Sequence, residues 1–246
     1  MSLAPVFALL LVCFRCTALI ASAPILGVRF IPSRIKLALG LVVGGVAWSA
    51  AGMPQVAVPD DVFRLTAMAL SEVMVGLTAG LCSRLLFEAA SAGGQIAGSS
   101  MGFGFGALLD PSSGAQSSAL GELYTALAFG AGLAMGLHHE AISWLVRSVQ
   151  QVPPGGVVDL ASLCHALVAQ SAISLALVTR VAWPIMATTL ITYGVLGLIG
   201  RTAPQLQLGN MGFAAAILSG GTAFYLTAPA AAQLCVNAAS QLFGGA

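Results

Sequence analysis

The chain is built from long apolar runs separated by short stretches where Arg, Lys, Asp, Pro and Gly gather. A membrane-spanning helix needs about 20 mostly apolar residues. Six stretches meet that length: residues 3–28, 35–53, 64–86, 119–138, 160–199 and 209–230. The fifth is too long for one straight span and contains Trp183-Pro184. Proline removes a backbone donor and clashes with the preceding turn, so a kink or a break into two shorter segments is expected there. The piece after Ala230 is apolar but carries Gln233, Asn237 and Gln241, which suits a short packed or interfacial helix.

Composition points the same way. Of the 246 residues, 58% are hydrophobic and only 7% charged, against about 25% charged in a soluble domain. Such a chain cannot coat a globule of its size with solvated groups, so its solvent is lipid or other apolar protein. A net charge of +1 without a basic or acidic tail gives no footprint for nucleic acid. With no polar linker and no internal repeat, residues 1–246 read as one all-α integral membrane unit. Residues 3–14 resemble the apolar core of a signal peptide, but no basic stretch precedes them and Arg15 interrupts the run, so they read as a retained first helix. If six spans alternate, Arg29, Arg34, Lys36, Arg84 and Arg201 fall on one side, which places both termini on the non-cytoplasmic side. The five cysteines, Cys13, Cys16, Cys82, Cys164 and Cys235, lack zinc spacing and read as buried thiols.

Ionisable groups within apolar runs are costly unless paired or wetted. Arg15, Glu72, Glu122 and Arg180 are the four that matter. Glu72 or Arg180 could line a pathway or relay protons in a secondary transporter with a broken helix. Alternatively, each charge neutralises a partner on a neighbouring helix or subunit. Arg84 and Glu88 are four apart and can meet on one helix face.

Three motifs offer catalytic or cofactor chemistry and lack the context it needs. Gly98-Ser99-Ser100-Met101-Gly102 matches the nucleophile elbow G-x-S-x-G, with Asp110 and then His138, His139 or His165 following in hydrolase order. That elbow requires a strand before the serine, and "LLFEAASAGG" reads as helix; an intramembrane serine hydrolase at Ser100 would escape the requirement. Gly102-Phe103-Gly104-Phe105-Gly106-Ala107 matches G-x-G-x-x-A without the preceding strand or the later acidic residue of a dinucleotide site. His138-His139 are adjacent, a poor spacing for one metal ion on a helix. The reading is therefore non-enzymatic, without cofactor or metal.

The glycines of "GGQIAGSSMGFGFGALLDPSSGAQSSAL" are more informative. Gly94, Gly98, Gly102 and Gly106 recur every four residues, a smooth groove if helical. Each also weakens a helix by nearly 1 kcal/mol relative to Ala, so a frayed helix running into a mobile loop is expected at about residues 101–119. Phe103 and Phe105 give that loop apolar bulk, and Asp110-Pro111 turns it. At membrane depth such a loop is tolerated only inside protein or a water-filled cavity. It has the make-up of a plug; an ordinary inter-helix connection remains the other reading.

This segment resembles the central motif of the flagellar biosynthetic protein FliR family, the export-gate component of type III secretion. Further similarity runs in order along the chain: "SAPILG" at 22–27, "IPSRIKLALG" at 31–40, "GLTAGLCSRLLFEAASAGG", "GLHHEAISWLVRSVQQVPPGG" and "RTAPQLQ" at 201–207. The chain departs from the family at Gln207, where Asn is usual, and in "GFAAAI" at 212–217, where Pro and Lys commonly follow the Phe. The resemblance implies kinked helical hairpins in a hetero-oligomeric helical ring with P- and Q-type membrane subunits, in the bacterial inner membrane at the flagellar basal body. It implies that Arg15, Glu72 and Arg180 face neighbouring subunits. It also implies that the loop closes the channel until unfolded flagellar subunits pass. In that picture Phe103, Phe105, Leu108 and Leu109 fill the lumen. Gly102, Gly104 and Gly106 supply the backbone freedom for displacement, while Asp110, Pro111 and Gln116 anchor the base.

Overall fold

A computed structural model describes residues 3–24, 32–103, 119–156, 158–202 and 208–244. These residues form seven helices and, among the described residues, no strand: α1 (Ala4–Ser22), α2 (Ser33–Ala50), α3 (Val62–Ser100), α4 (Ala119–Ala134), α5 (Leu137–Gln151), α6 (Leu160–Thr202) and α7 (Leu208–Gly244). Five are long and apolar enough to cross a membrane, or up to six if the bent pair α4–α5 counts as one span. The all-α membrane class expected from the apolar runs is the class observed.

Several boundaries differ from those expected. α3 runs on past residue 86 to Ser100, carrying Gly93, Gly94 and Gly98 inside regular helix. Packing explains this: a Cβ on Gly93 would lie 2.8 Å from Val181, and one on Gly94 would lie 2.7 Å from the Cα of Gly121. Close backbone approach offsets the loss of nearly 1 kcal/mol that each glycine brings in an isolated helix. α6 shows no break at Pro184 and continues for 43 residues. At 1.5 Å per residue it spans roughly 65 Å, about twice the hydrocarbon thickness of a bilayer. Just beyond the proline, the Thr188 hydroxyl donates to the Pro184 and Ile185 carbonyls at 3.1 and 2.9 Å. α7 takes in the polar-tipped segment after Ala230 without interruption, with Pro229 inside it. The fourth apolar run stops at Ala134; the chain turns at Gly136, whose φ is +79°, and α5 departs at 64°.

The chain divides into two compact units. One comprises residues 1–85, 132–172 and 238–246, the other residues 86–131 and 173–237, so α3, α6 and α7 each contribute to both.

In the first unit α1 lies between two glycine faces. Gly40 and Gly44 of α2 meet it at Thr17 and Cys13, while Gly76 and Gly80 of α3 meet it at Arg15 and Ser22. Both pairs have the four-residue spacing that aligns small residues on one helix face. Val12, Cys16, Leu19 and Ile20 of α1 then fill a core with Ala47, Ala79, Leu145 and Val149. The glycine contacts make a prediction. A Cβ at Gly76 meets the Arg15 backbone carbonyl, which cannot swing aside, whereas one at Gly45 meets nothing within 4 Å. Gly76→Ala should therefore cost about 1–3 kcal/mol through overpacking, and Gly45→Ala should be neutral or slightly stabilising. Thermal unfolding of the two variants in detergent checks the contrast.

In the second unit Phe87 and Phe129 stack at 5.1 Å, and Tyr124 meets Phe224 edge-on at 5.0 Å. Thr192 of α6 donates to the Ser219 hydroxyl of α7 at 2.9 Å.

Candidate functional site

The first unit holds a fully buried ion pair. Glu72 stands one turn before Gly76 and two before Gly80, on the face of α3 that packs against α1. Across that contact Arg15 Nε donates to Glu72 Oε2 at 2.7 Å, with the side chains 0% and 1% exposed. Arg15 Nη1 donates to both the carbonyl and the hydroxyl of Ser148 at 2.8 Å, and Nη2 donates to the Val152 carbonyl at 3.1 Å. The second carboxylate oxygen accepts the Gly155 N–H at 2.8 Å. The guanidinium thus sits at the C-terminal end of α5, where the dipole favours a cation, and it shares the Ser148 carbonyl with the Val152 N–H. Gly155 has φ +79°, a left-handed conformation that glycine adopts without strain. The result is a neutral clamp joining α1, α3, the end of α5 and the following turn.

This geometry corrects one expectation. Arg15 and Glu72 face each other inside the chain and do not face a neighbouring subunit, because the small residues of α3 bring its backbone close to α1. It also bears on the transporter reading. Both Glu72 oxygens are held by donors from this chain and the side chain is 1% exposed, an arrangement that suits a structural pair rather than a solvent-connected relay. Arg180 lies exposed on α6, and Glu122 lies exposed in the first turn of α4.

In the second unit α3 ends in a defined cap. Gly102 has φ +91° and donates its N–H to the Ser99 carbonyl at 3.1 Å, while the Phe103 N–H donates to Gly98 at 3.1 Å. These two bonds around a left-handed glycine form a Schellman motif. Gly102, read from the sequence as a source of freedom, closes the helix. Phe103 follows with 43% exposure, and Met101 before it is 2% exposed. Gly104, Phe105, Gly106, Leu108, Leu109, Asp110, Pro111 and Gln116 lie outside the described residues.

The cap brings in residues that the sequence reading missed. Met101 lies against Gly220, and Gly102 against Phe213, both on α7. The pair Gly220-Gly221 in an apolar run was the available signal, since bare backbone in a membrane helix marks a close approach.

Ser100 occupies the last turn of α3, its hydroxyl donating to Ala97 at 2.7 Å and accepting from Thr189 at 3.3 Å. A helix feeds it, so the G-x-S-x-G match is a helix terminus and not a strand-borne elbow. The glycines beginning at Gly102 likewise follow a helix and not the strand a dinucleotide site needs. The His138 and His139 rings sit 4.0 Å apart, and among the described residues no group of three or more His, Cys, Asp or Glu could hold a metal. Four of the cysteines are buried as expected, but Cys164 is exposed on α6.

Residues 6–242 match the family model described as bacterial export proteins, family 1. The chain is 29% identical over 229 residues to the flagellar biosynthetic protein FliR of Escherichia coli, covering 93% of this chain and 87% of that one. It is 26% identical to the FliR of Bacillus subtilis, over 83% of this chain and 80% of that one. Against the FliR of Aquifex aeolicus it is 29% identical, over 83% and 78% of the two chains.

Proposed function

The chain belongs to the bacterial export proteins, family 1, and on that premise we propose that it gates a protein export channel. Membership makes it a membrane component of the flagellar export apparatus, associated with other membrane proteins of that apparatus, and not an enzyme. The finer reading is that residues at about 101–119 form a plug, with Phe103, Phe105, Leu108 and Leu109 filling the lumen and excluding ions until unfolded flagellar subunits pass. P- and Q-type membrane subunits complete the ring, in the bacterial inner membrane. Asp110, Pro111 and Gln116 anchor the loop through a turn and hydrogen bonds.

The observation that carries this reading is the capped end of α3. The helix stops at Ser100 in a glycine-specific motif, and the apolar Phe103 emerges exposed at the start of the Gly-Phe sequence. A chain that must leave a membrane helix without exposing free carbonyls needs such a cap, because unsatisfied backbone is not tolerated in hydrocarbon. Co-purification tests the assembly half of the reading. A tagged chain extracted in mild detergent should bring down other small membrane proteins of the export apparatus as a stable complex. Recovery of the chain alone, at full membrane expression of the whole apparatus, would contradict it.

A further inference from the structure

We infer that the outward face of α5 is wetted at membrane depth and forms this chain's part of the wall along which exported polypeptides pass; the inference rests on the export-channel reading. Among the described residues, α5 is the one helix that presents no exposed large apolar side chain. Its exposed positions are His139, Ser143, Gln150 and Gln151. Residues 139, 143 and 150 are spaced by four and seven, so they share one face of the helix. Leu137, Ala141, Leu145 and Val149 occupy the opposite face and are buried. By contrast, α1 exposes Val6, Leu10 and Phe14, and α2 exposes Leu41, Val42 and Val46.

The depth of α5 follows from its contacts within the first unit. α1 has 19 residues, roughly 28 Å of helix and close to the hydrocarbon thickness of a bilayer. Leu145 and Val149 share a core with Val12, Cys16, Leu19 and Ile20 of α1, and Arg15 holds Ser148. Ser143 and Gln150 bracket this stretch, so they stand at the level of α1 and not beyond its end. An amide or hydroxyl facing hydrocarbon there would lack partners, which is costly. A permanent subunit contact has an apolar centre, and this stripe has none.

The charges of α5 are turned aside. Glu140 and Arg147 share a half-buried flank, where Arg147 Nη2 donates to the Phe243 carbonyl at 2.5 Å and Trp144 meets the Phe243 ring at 6.3 Å. Arg15 at Ser148 and Arg147 at Phe243 together hold α5 against rotation, which keeps the stripe outward. The exposed face is thus hydroxyl, amide and one imidazole. It offers an unfolded chain neither an apolar surface to bury against nor a carboxylate or ammonium to pair with, as suits a wall past which sequences of mixed composition move.

Thiol accessibility in the assembled complex tests this, in a Cys164→Ser background that removes the exposed cysteine. Ser143→Cys and Gln150→Cys should react with a charged, membrane-impermeant methanethiosulfonate at least about tenfold faster than Leu10→Cys or Val42→Cys, because the reactive thiolate forms in water and is disfavoured in apolar surroundings. A bulky adduct at Ser143→Cys should lower the export of flagellar subunits, and reduction of the mixed disulfide should restore it. Slow reaction at both positions in the complex, with fast reaction in the chain purified alone, would show a neighbouring subunit covering the face; that overturns the wall and leaves the export reading in place. Reaction as slow as at Val42→Cys in both states would put the face in lipid and overturn it equally. Fast reaction with export untouched by the adduct would overturn it too, since the face is then wet but off the path. Failure of the chain to co-purify with other membrane proteins of the apparatus would instead overturn the export reading, and the wall with it.

Discussion

Replacing Arg15 by leucine is expected to lower the stability of the chain by about 3–5 kcal/mol, because it leaves the Glu72 carboxylate buried without its counter-charge. The substitution takes the Nε donor from Glu72 Oε2 and also strips donors from Ser148 and Val152, leaving Glu72 with the Gly155 N–H. Glu72→Leu should cost a similar amount, since it strands a guanidinium that is 0% exposed. In a chain of this size a loss of that order lowers the unfolding temperature by on the order of 10 °C. The double variant Arg15→Met with Glu72→Leu removes both charges and should recover part of the loss. It should not recover all of it, because the Val152 carbonyl and the Gly155 N–H lose the side-chain partners they have in the wild type, while the Ser148 carbonyl keeps the Val152 N–H. Thermal unfolding in detergent reads the order wild type, double variant, single variants. A single variant that melts with the wild type would refute the clamp.

The helical membrane class was legible because it follows from composition and run length, which tertiary contacts do not alter. Helix limits were less legible where a local rule competed with packing. Gly94 and Gly98 read as weakening a helix, yet the helix persists to Ser100, and bare backbone lets α3 touch α4 at Gly94 and α6 at Gly93. Pro184 read as a kink or a break into two segments, yet it lies inside one continuous helix. The charges were legible as a problem requiring partners, but not as a solution. Arg15 and Glu72 are 57 positions apart, and only the approach of α1 to α3 along Gly76 and Gly80 pairs them. The contribution of Ser148, Val152 and Gly155 to that pair was beyond reach, because two of the three act through backbone atoms that carry no side-chain signal. At the loop, the Gly-Phe run was readable, and Gly102 has the positive φ that glycine tolerates. The contact with α7 was only half legible: Gly220-Gly221 marks bare backbone, but nothing in the sequence pairs it with Met101, more than a hundred residues upstream.

The second large effect concerns the loop itself. Removing residues 106–114 deletes Leu108, Leu109, Asp110 and Pro111 while leaving the α3 cap, Phe103 and the start of α4 in place. The shortened connection should still permit folding, because the flanking helix ends are fixed by their own contacts: Met101 on Gly220, and Gly121 on Ser91 and Gln95. What it cannot do is fill a lumen. Hydrophobic constrictions gate by excluding water, so removing the apolar bulk wets the passage. Cells producing the variant should lose part of their ion gradients when the whole apparatus is present, and should keep them when the variant is made alone.

Conductance across a planar bilayer containing the assembled export complex reads this most directly. With the full-length chain the bilayer should remain at background; with residues 106–114 removed it should carry a steady ion current. A deletion complex, intact by co-purification, that stays as tight as the full-length one would contradict the assignment of the loop as the channel's stopper.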